Sequence, residues 1–137
     1  MVFRFDGSRI HFVASCGLPP DLLQAMQHSF PSPPDRRSTT TRAIQTREIV
    51  HIADVAADPE FALPAIVQTG WHTALAVPIL QDGNPVGAIT VVRREVAPFS
   101  QAQIDLLKTF ADRADMESCA ALPAAHRAAT RDGRRNE

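Results

Sequence analysis

Cysteine is nearly absent from this chain of 137 residues: there are two, Cys16 and Cys119. They stand far apart and form no CxxC pair, which argues against a disulfide framework or a zinc site and fits a reducing compartment. Long apolar runs are missing as well. None approaches the ~20 residues that span a membrane, and no basic-plus-apolar signal segment opens the chain. The placement expected is therefore cytoplasmic. Charge of one sign is also lacking. The formal net charge is −1, so no global field draws nucleic acid or an anionic membrane, and neither is expected as a partner. Thirteen of the fourteen cationic residues are arginine, which reads as codon bias and not as phosphate recognition. The sequence has no P-loop, no Gly-x-Gly-x-x-Gly and no nucleophile elbow.

What remains is an ordinary globular composition. Apolar residues make up 45% and charged residues 21%, close to the average for soluble domains. A single domain of this length buries about two-thirds of its unfolded surface. Val2–Phe5 and Ile10–Ala14 alternate in character around Asp6-Gly7, a hairpin signal. Phe3 and Phe5 should share a face, as should Ile10 and Phe12. Asp21 is placed to cap a short helix carrying Leu22, Leu23 and Met26. Prolines 31, 33 and 34 make a loop. Ser38 suits the N-cap of a helix reaching about Arg47. Ile49–Ile52 reads as a short strand, and Asp54–Pro64 as irregular, with Asp58-Pro59 a turn or helix start. Pro64 opens a further helix through Ile66 and Val67, stopped at Gly70.

Two strands, Thr73–Leu80 and Val86–Val92, flank the polar hinge Gln81–Pro85. They are apolar on both faces, as central strands covered on both sides are. Pro78 is awkward there and suggests a bulge or a donor-free position. Ser100-Gln101-Ala102-Gln103 is a capping box with Phe99 and Ile104 as its hydrophobic staple. The helix it opens carries an apolar stripe from Ile104 to Ala114. Beyond Asp115 the stripe fails, and residues 115–137 are expected to be a disordered or unrelated tail. The order, strand-strand-helix-helix-strand-helix-strand-strand-helix, points to an α+β fold: an antiparallel sheet of five to six strands with helices packed on it.

Three stretches in this order and spacing, "VFRFDGSRIHFVAS", "REIVHIADVAADPEF" and "TGWHTALAVPILQDGNPVGAITVVRREVAPFSQAQIDLLKTFAD", resemble a GAF domain of the kind found in bacterial two-component histidine kinases. The matching features are Thr73–Pro78 leading into Asp82-Gly83-Asn84-Pro85-Val86-Gly87, the basic pair Arg93-Arg94, and Pro98-Phe99-Ser100 opening the last helix. The resemblance covers about residues 2–114, and the domain it implies is placed at residues 1–114. It implies a GAF/PAS-like sheet and a sensory or regulatory module that binds a small molecule or regulates an attached kinase, working as a homodimer or beside a signalling domain. Members of the family normally begin with a long helix before the first strand and continue the last helix toward the next domain. Neither extension is legible here, so the expectation is a module truncated at both ends. Left open beside the sensor are a dimerisation scaffold, or a fragment with a vestigial pocket, and a methionine sulfoxide reductase-like enzyme.

The candidate ligand-binding residues are His51, Asp54, Phe61, Trp71, His72 and Thr73. In the family the helix flanked by Phe61 and Trp71 roofs the pocket over one sheet face, and such pockets are apolar with a few placed polar groups. His51 is either a polar group of that pocket or a half-exposed strand residue; His72 either lines its mouth or sits at an ordinary edge. His51 and Asp54 straddle a strand end, which is poor spacing for metal ligands. Reductase chemistry would need two thiols within reach of each other, and Cys16 and Cys119 are not so placed in sequence. Pigment-carrying relatives use a Cys beside a His, a pair absent here. No cofactor and no ligand identity can be read from the residues.

Overall fold

The computed structural model describes residues 1–113. Its elements are β1 (Val2–Phe5), β2 (Ile10–Ala14), α1 (Pro20–Ser29), α2 (Thr39–Thr46), β3 (Val50–Ile52), α3 (Pro64–Gln68), β4 (Thr73–Gln81), β5 (Asn84–Arg93) and α4 (Gln101–Arg113). The order is the one expected from sequence. The expected tail at 115–137 lies outside the described residues. The five strands form one sheet in the order β2-β1-β5-β4-β3, and every neighbouring pair is antiparallel.

Alternation along the central strands separates two cores. One face carries Val2, Leu75, Val77, Ile79 and Ile89, covered by Leu107 and Ala111 of α4. Leu75, Ile79 and Ile89 are fully buried, and each such side chain contributes about 1.5–3 kcal/mol by leaving water. The opposite face carries Phe3 and Ala88, packed with Leu22 and Met26 of α1, Ile44 of α2 and Ile66 of α3. Ala74 is buried there beside Ile52 and Val55. Small residues on this face let α2 lie close to the sheet, and Thr40 and Thr90 share a buried hydrogen bond of 2.7 Å between α2 and β5.

The β4–β5 hairpin is tighter than the sequence suggests. Gln81 pairs with Asn84, so the turn is only Asp82-Gly83. Both adopt positive φ, +53° and +79°, the backbone of a two-residue turn that matches strand twist. Pro78 pairs with Ala88, and the register shift falls one step later, between Ile79 and Leu80. Since β3 begins at Val50, opposite Ala76, Pro78 has a strand on one side only and its missing donor is tolerated.

The helix ends follow their sequence signals with one correction. Gln103 accepts from the Ser100 amide at 2.8 Å and Ser100 Oγ accepts from the Gln103 amide at 3.2 Å, the expected capping box of α4. Ser38 caps α2 through a second, reciprocal box with Thr41. Asp21, however, is not the cap of α1. The cap position is Pro19, with no side-chain bond, and Asp21 accepts from the Leu22 amide inside the first turn. Pro20 starts that helix early because its fixed φ suits the first turn.

Candidate functional site

Between the sheet and helices α1–α3 lies a mostly apolar pocket. Leu22 and Met26 of α1 form one side, and Phe61, Leu63 and Ile66 lie before and within α3. The floor is Ala74, Thr90 and Val92, and the start of α2 contributes Ser38, Thr39 and Thr40. The enclosed space is about 30 Å³, room for one or two water molecules. The concavity with its open mouth measures about 410 Å³.

Of the six candidate residues, Phe61, Trp71, His72 and Thr73 line this pocket. Asp54 does not line it but stands behind His72, whose Nδ1 lies 2.9 Å from Asp54 Oδ1. A carboxylate only accepts, so Nδ1 carries the proton in this pair. That bond from His72 holds the Asp54 carboxyl below the usual carboxylate range. His51 is exposed on the edge strand β3 and does not line the pocket.

His51 is engaged elsewhere. Its Nε2 accepts from the Phe99 amide at 3.1 Å, and Arg93 stacks over the Phe99 ring at 4.2 Å. His51 thus ties β3 to Phe99, two residues before α4, and it does so only when Nε2 is unprotonated. Burial, and then the Arg93 charge, push its pKa below the ordinary histidine value. A lowered pKa means the contribution is present above about pH 6.5 and is lost as pH falls through the folded value. The Phe99 amide is expected to lose exchange protection between about pH 7 and about pH 5. In a His51→Phe variant it should be poorly protected at both; equal protection throughout would show that the ring does not hold this amide.

Thr73 is fully buried and joins three chain segments. Its hydroxyl lies 2.7 Å from the Ala53 carbonyl oxygen after β3 and 2.9 Å from that of Glu95 after β5. It also accepts from the Ala97 amide at 2.9 Å. A pocket residue is therefore bonded directly to the connector that leads into α4.

Sequence reasoning missed three features of the site. The first is the run of threonines in α2: Thr39, Thr40 and Thr41 are all buried. The second is a pair of buried polar atoms without hydrogen-bond partners among the pocket residues, Thr39 Oγ1 and Trp71 Nε1. Each such atom costs about 1–3 kcal/mol when left unpaired. The third is the ion pair between Arg42 of α2 and Asp58, with Nη1 3.1 Å and Nη2 3.2 Å from the two carboxylate oxygens. It pins the segment carrying Val55 and Phe61 against α2. Arg42 is buried together with every α2 residue from Thr39 to Ile44, and a buried cation requires a carboxylate partner, but its partner stands 16 residues away at no spacing that the sequence marks. The basic pair at the end of β5 also has a local role. Arg93 covers Phe99 and Arg94 lies over the Trp71 ring at 5.0 Å.

This architecture is matched by known proteins. The GAF domain family model matches residues 1–117, and the chain belongs to the GAF domain family. No curated protein matches the sequence significantly. Among solved structures, the GAF domain/HD domain protein from Geobacter sulfurreducens is similar at 23% identity with a TM-score of 0.67, over 92% of this chain and 78% of that one. The domain of a putative two-component sensor histidine kinase from Sinorhizobium meliloti 1021 is similar at 20% identity and TM-score 0.62, over 82% and 71%. The type II free methionine-R-sulfoxide reductase from Thermoplasma acidophilum is similar at 19% identity and TM-score 0.63, over 81% and 71%. At these identities the likeness is one of fold. Among the described residues no helix is long and apolar enough to cross a membrane.

Proposed function

We propose that the chain is a non-catalytic sensory module of bacterial, cytoplasmic signal transduction. A small molecule in the pocket alters how the β5–α4 connector is held, and so regulates an attached signalling domain such as a histidine kinase, or a second copy of the chain. The observation that carries this reading is Thr73, which lines the pocket and bonds the connector through Glu95 and Ala97. Structural neighbours drawn from signalling proteins support it. The test is native mass spectrometry of the full chain after gentle purification. A folded species carrying a discrete small-molecule mass is expected. A bare chain whose melting temperature no cell-derived small-molecule fraction raises would sink the sensor, since a ligand of the native state stabilises by mass action.

Thr73→Val keeps the shape and removes the hydroxyl. It should lower stability by about 2 kcal/mol, because the Ala97 amide loses its acceptor. Thermal unfolding measures the loss, and amide exchange at Ala97 should rise while the β1–β2 hairpin is unchanged.

The small enclosed space favours a second reading, a dimerisation scaffold with a vestigial pocket. Concentration-dependent sedimentation with no ligand-induced shift in melting temperature would support that instead. The reductase reading has structural neighbours, but among the described residues no cysteine lines this pocket and Cys16 lies beyond the end of β2. Loss of any methionine sulfoxide turnover in Cys16→Ser would revive it.

A further inference from the structure

We infer that the pocket selects an uncharged, compact, largely apolar molecule through one hydrogen-bond-accepting carbonyl oxygen, received by the Trp71 indole and the Thr39 hydroxyl. This rests on the reading of the pocket as a ligand site and names the chemistry of its occupant. Trp71 and Thr39 are 2% and 3% exposed, both line the pocket, and their Nε1 and Oγ1 atoms are without a hydrogen-bond partner. The other hydroxyls of the wall are engaged. Thr40 bonds Thr90, Ser38 Oγ accepts from the Thr41 amide, and Thr73 serves the connector.

An indole N–H can only donate, so whatever meets Trp71 must accept. The remaining wall is hydrocarbon: Leu22, Met26, Ile66, Ala74 and Val92 give an apolar body its place. Charge is what the wall lacks. Among the described residues no Lys, Arg, Asp or Glu lines it, and its one histidine, His72, is paired with Asp54. Arg94, over the Trp71 ring, is exposed and outside the lining, so a carboxylate or phosphate would enter without a buried countercharge, and a cation without a carboxylate. Either is far costlier to bury than a neutral carbonyl. The enclosed space admits water but not an organic molecule, so occupancy displaces the segment from Val55 to Leu63 that Asp58 fastens to Arg42.

The chain contains a single tryptophan, so its indole N–H gives one resonance in a nitrogen–proton correlation spectrum. The full-length labelled protein is titrated with three probes of similar size: acetophenone, which has a neutral acceptor, ethylbenzene, which has none, and benzoate, which is charged. Acetophenone should move the indole resonance downfield, saturably, and bind about tenfold more tightly than the other two. Thr39→Val should shrink that ratio while the rest of the spectrum stays folded. Ethylbenzene binding as tightly as acetophenone overturns the polar selection and leaves the pocket standing as a ligand site. Tightest binding by benzoate overturns the exclusion of charge in the same way. An indole resonance unmoved by all three overturns the inference, with internal water as the partner of the two atoms. A small-molecule mass retained in native spectrometry would still uphold the sensor.

Discussion

Replacing Gly87 with alanine is expected to cost the fold roughly 3 kcal/mol or more, at the upper end of overpacking penalties. A β-carbon there would overlap the Phe3 carbonyl oxygen and stand 3.3 Å from its carbonyl carbon and 3.5 Å from Arg4 Cα. These are backbone atoms of β1, the strand paired with β5 across Val2–Arg4, so no side-chain rotation relieves the overlap. β1 would have to move away, and Phe3 with it. Phe3 is completely buried and packs on the Phe30 ring at 4.8 Å and the Phe12 ring at 5.5 Å. The disturbance therefore reaches both the sheet and the α1 side of the core. Thermal unfolding followed by circular dichroism should show a midpoint lower by about 10 °C or more for a domain of this size. Gly83→Ala is the control. Its φ of +79° is unfavourable for a side chain, but its surroundings are open, so it should cost only about 1–2 kcal/mol. Equal losses at the two sites would mean that backbone freedom, not the approach of β1, explains Gly87.

The two glycines also mark how far the sequence could be read. Gly83 is legible, because Asp-Gly between two apolar runs encodes a turn through local geometry alone. Gly87 stands in a strand and its reason lies in β1, more than eighty residues earlier. The same division holds throughout. The capping box at Ser100 and the alternation of β4 and β5 depend on neighbours in the chain and are visible in it. Phe61, Trp71, His72 and Thr73 could be gathered as pocket candidates because the family pattern places them around one helix. His51 reads from sequence either as a polar group of the pocket or as a half-exposed strand residue, and the pairing of β3 with β4 leaves it at the sheet edge, facing Phe99 at a separation of 48 residues. Asp58 read as a turn residue, and it is one, with Oδ1 accepting from the Glu60 and Phe61 amides. Its pairing with Arg42 obeys no periodicity and was hidden. The orphaned Thr39 and Trp71 atoms are further still from the sequence, since an absent partner leaves no pattern.

Asp58→Ala should destabilise the chain by about 2–4 kcal/mol and open the pocket. Arg42 has only 8% of its side chain exposed, and removing one member of a buried pair costs 3–5 kcal/mol because the other is left uncompensated. Asp58 is 19% exposed, which places the loss somewhat below that range. A second contribution comes from the lost turn bonds to Glu60 and Phe61. Asp58→Asn separates the two, because its amide oxygen still accepts from both backbone amides while the charge is gone. It should show most of the loss if the ion pair dominates. Acid offers an independent route. The bonds from Arg42 hold the Asp58 carboxyl below its ordinary value, so its contribution is complete above about pH 4 and is lost as pH falls through the folded pKa. Between these limits the stability of wild type should fall more steeply than that of Asp58→Asn. The consequence for the pocket follows from what else holds the Val55–Leu63 segment. Glu60 pairs with Arg36 and the Ala62 amide donates to the Arg37 carbonyl at 2.8 Å, but the Arg36–Glu60 pair is exposed and screened. With Asp58 gone, hydrogen exchange should accelerate at Glu60 and Phe61 and stay slow in β5. A molecule that fits the opened pocket should then bind the variant more tightly than wild type, because the ion pair no longer opposes its entry.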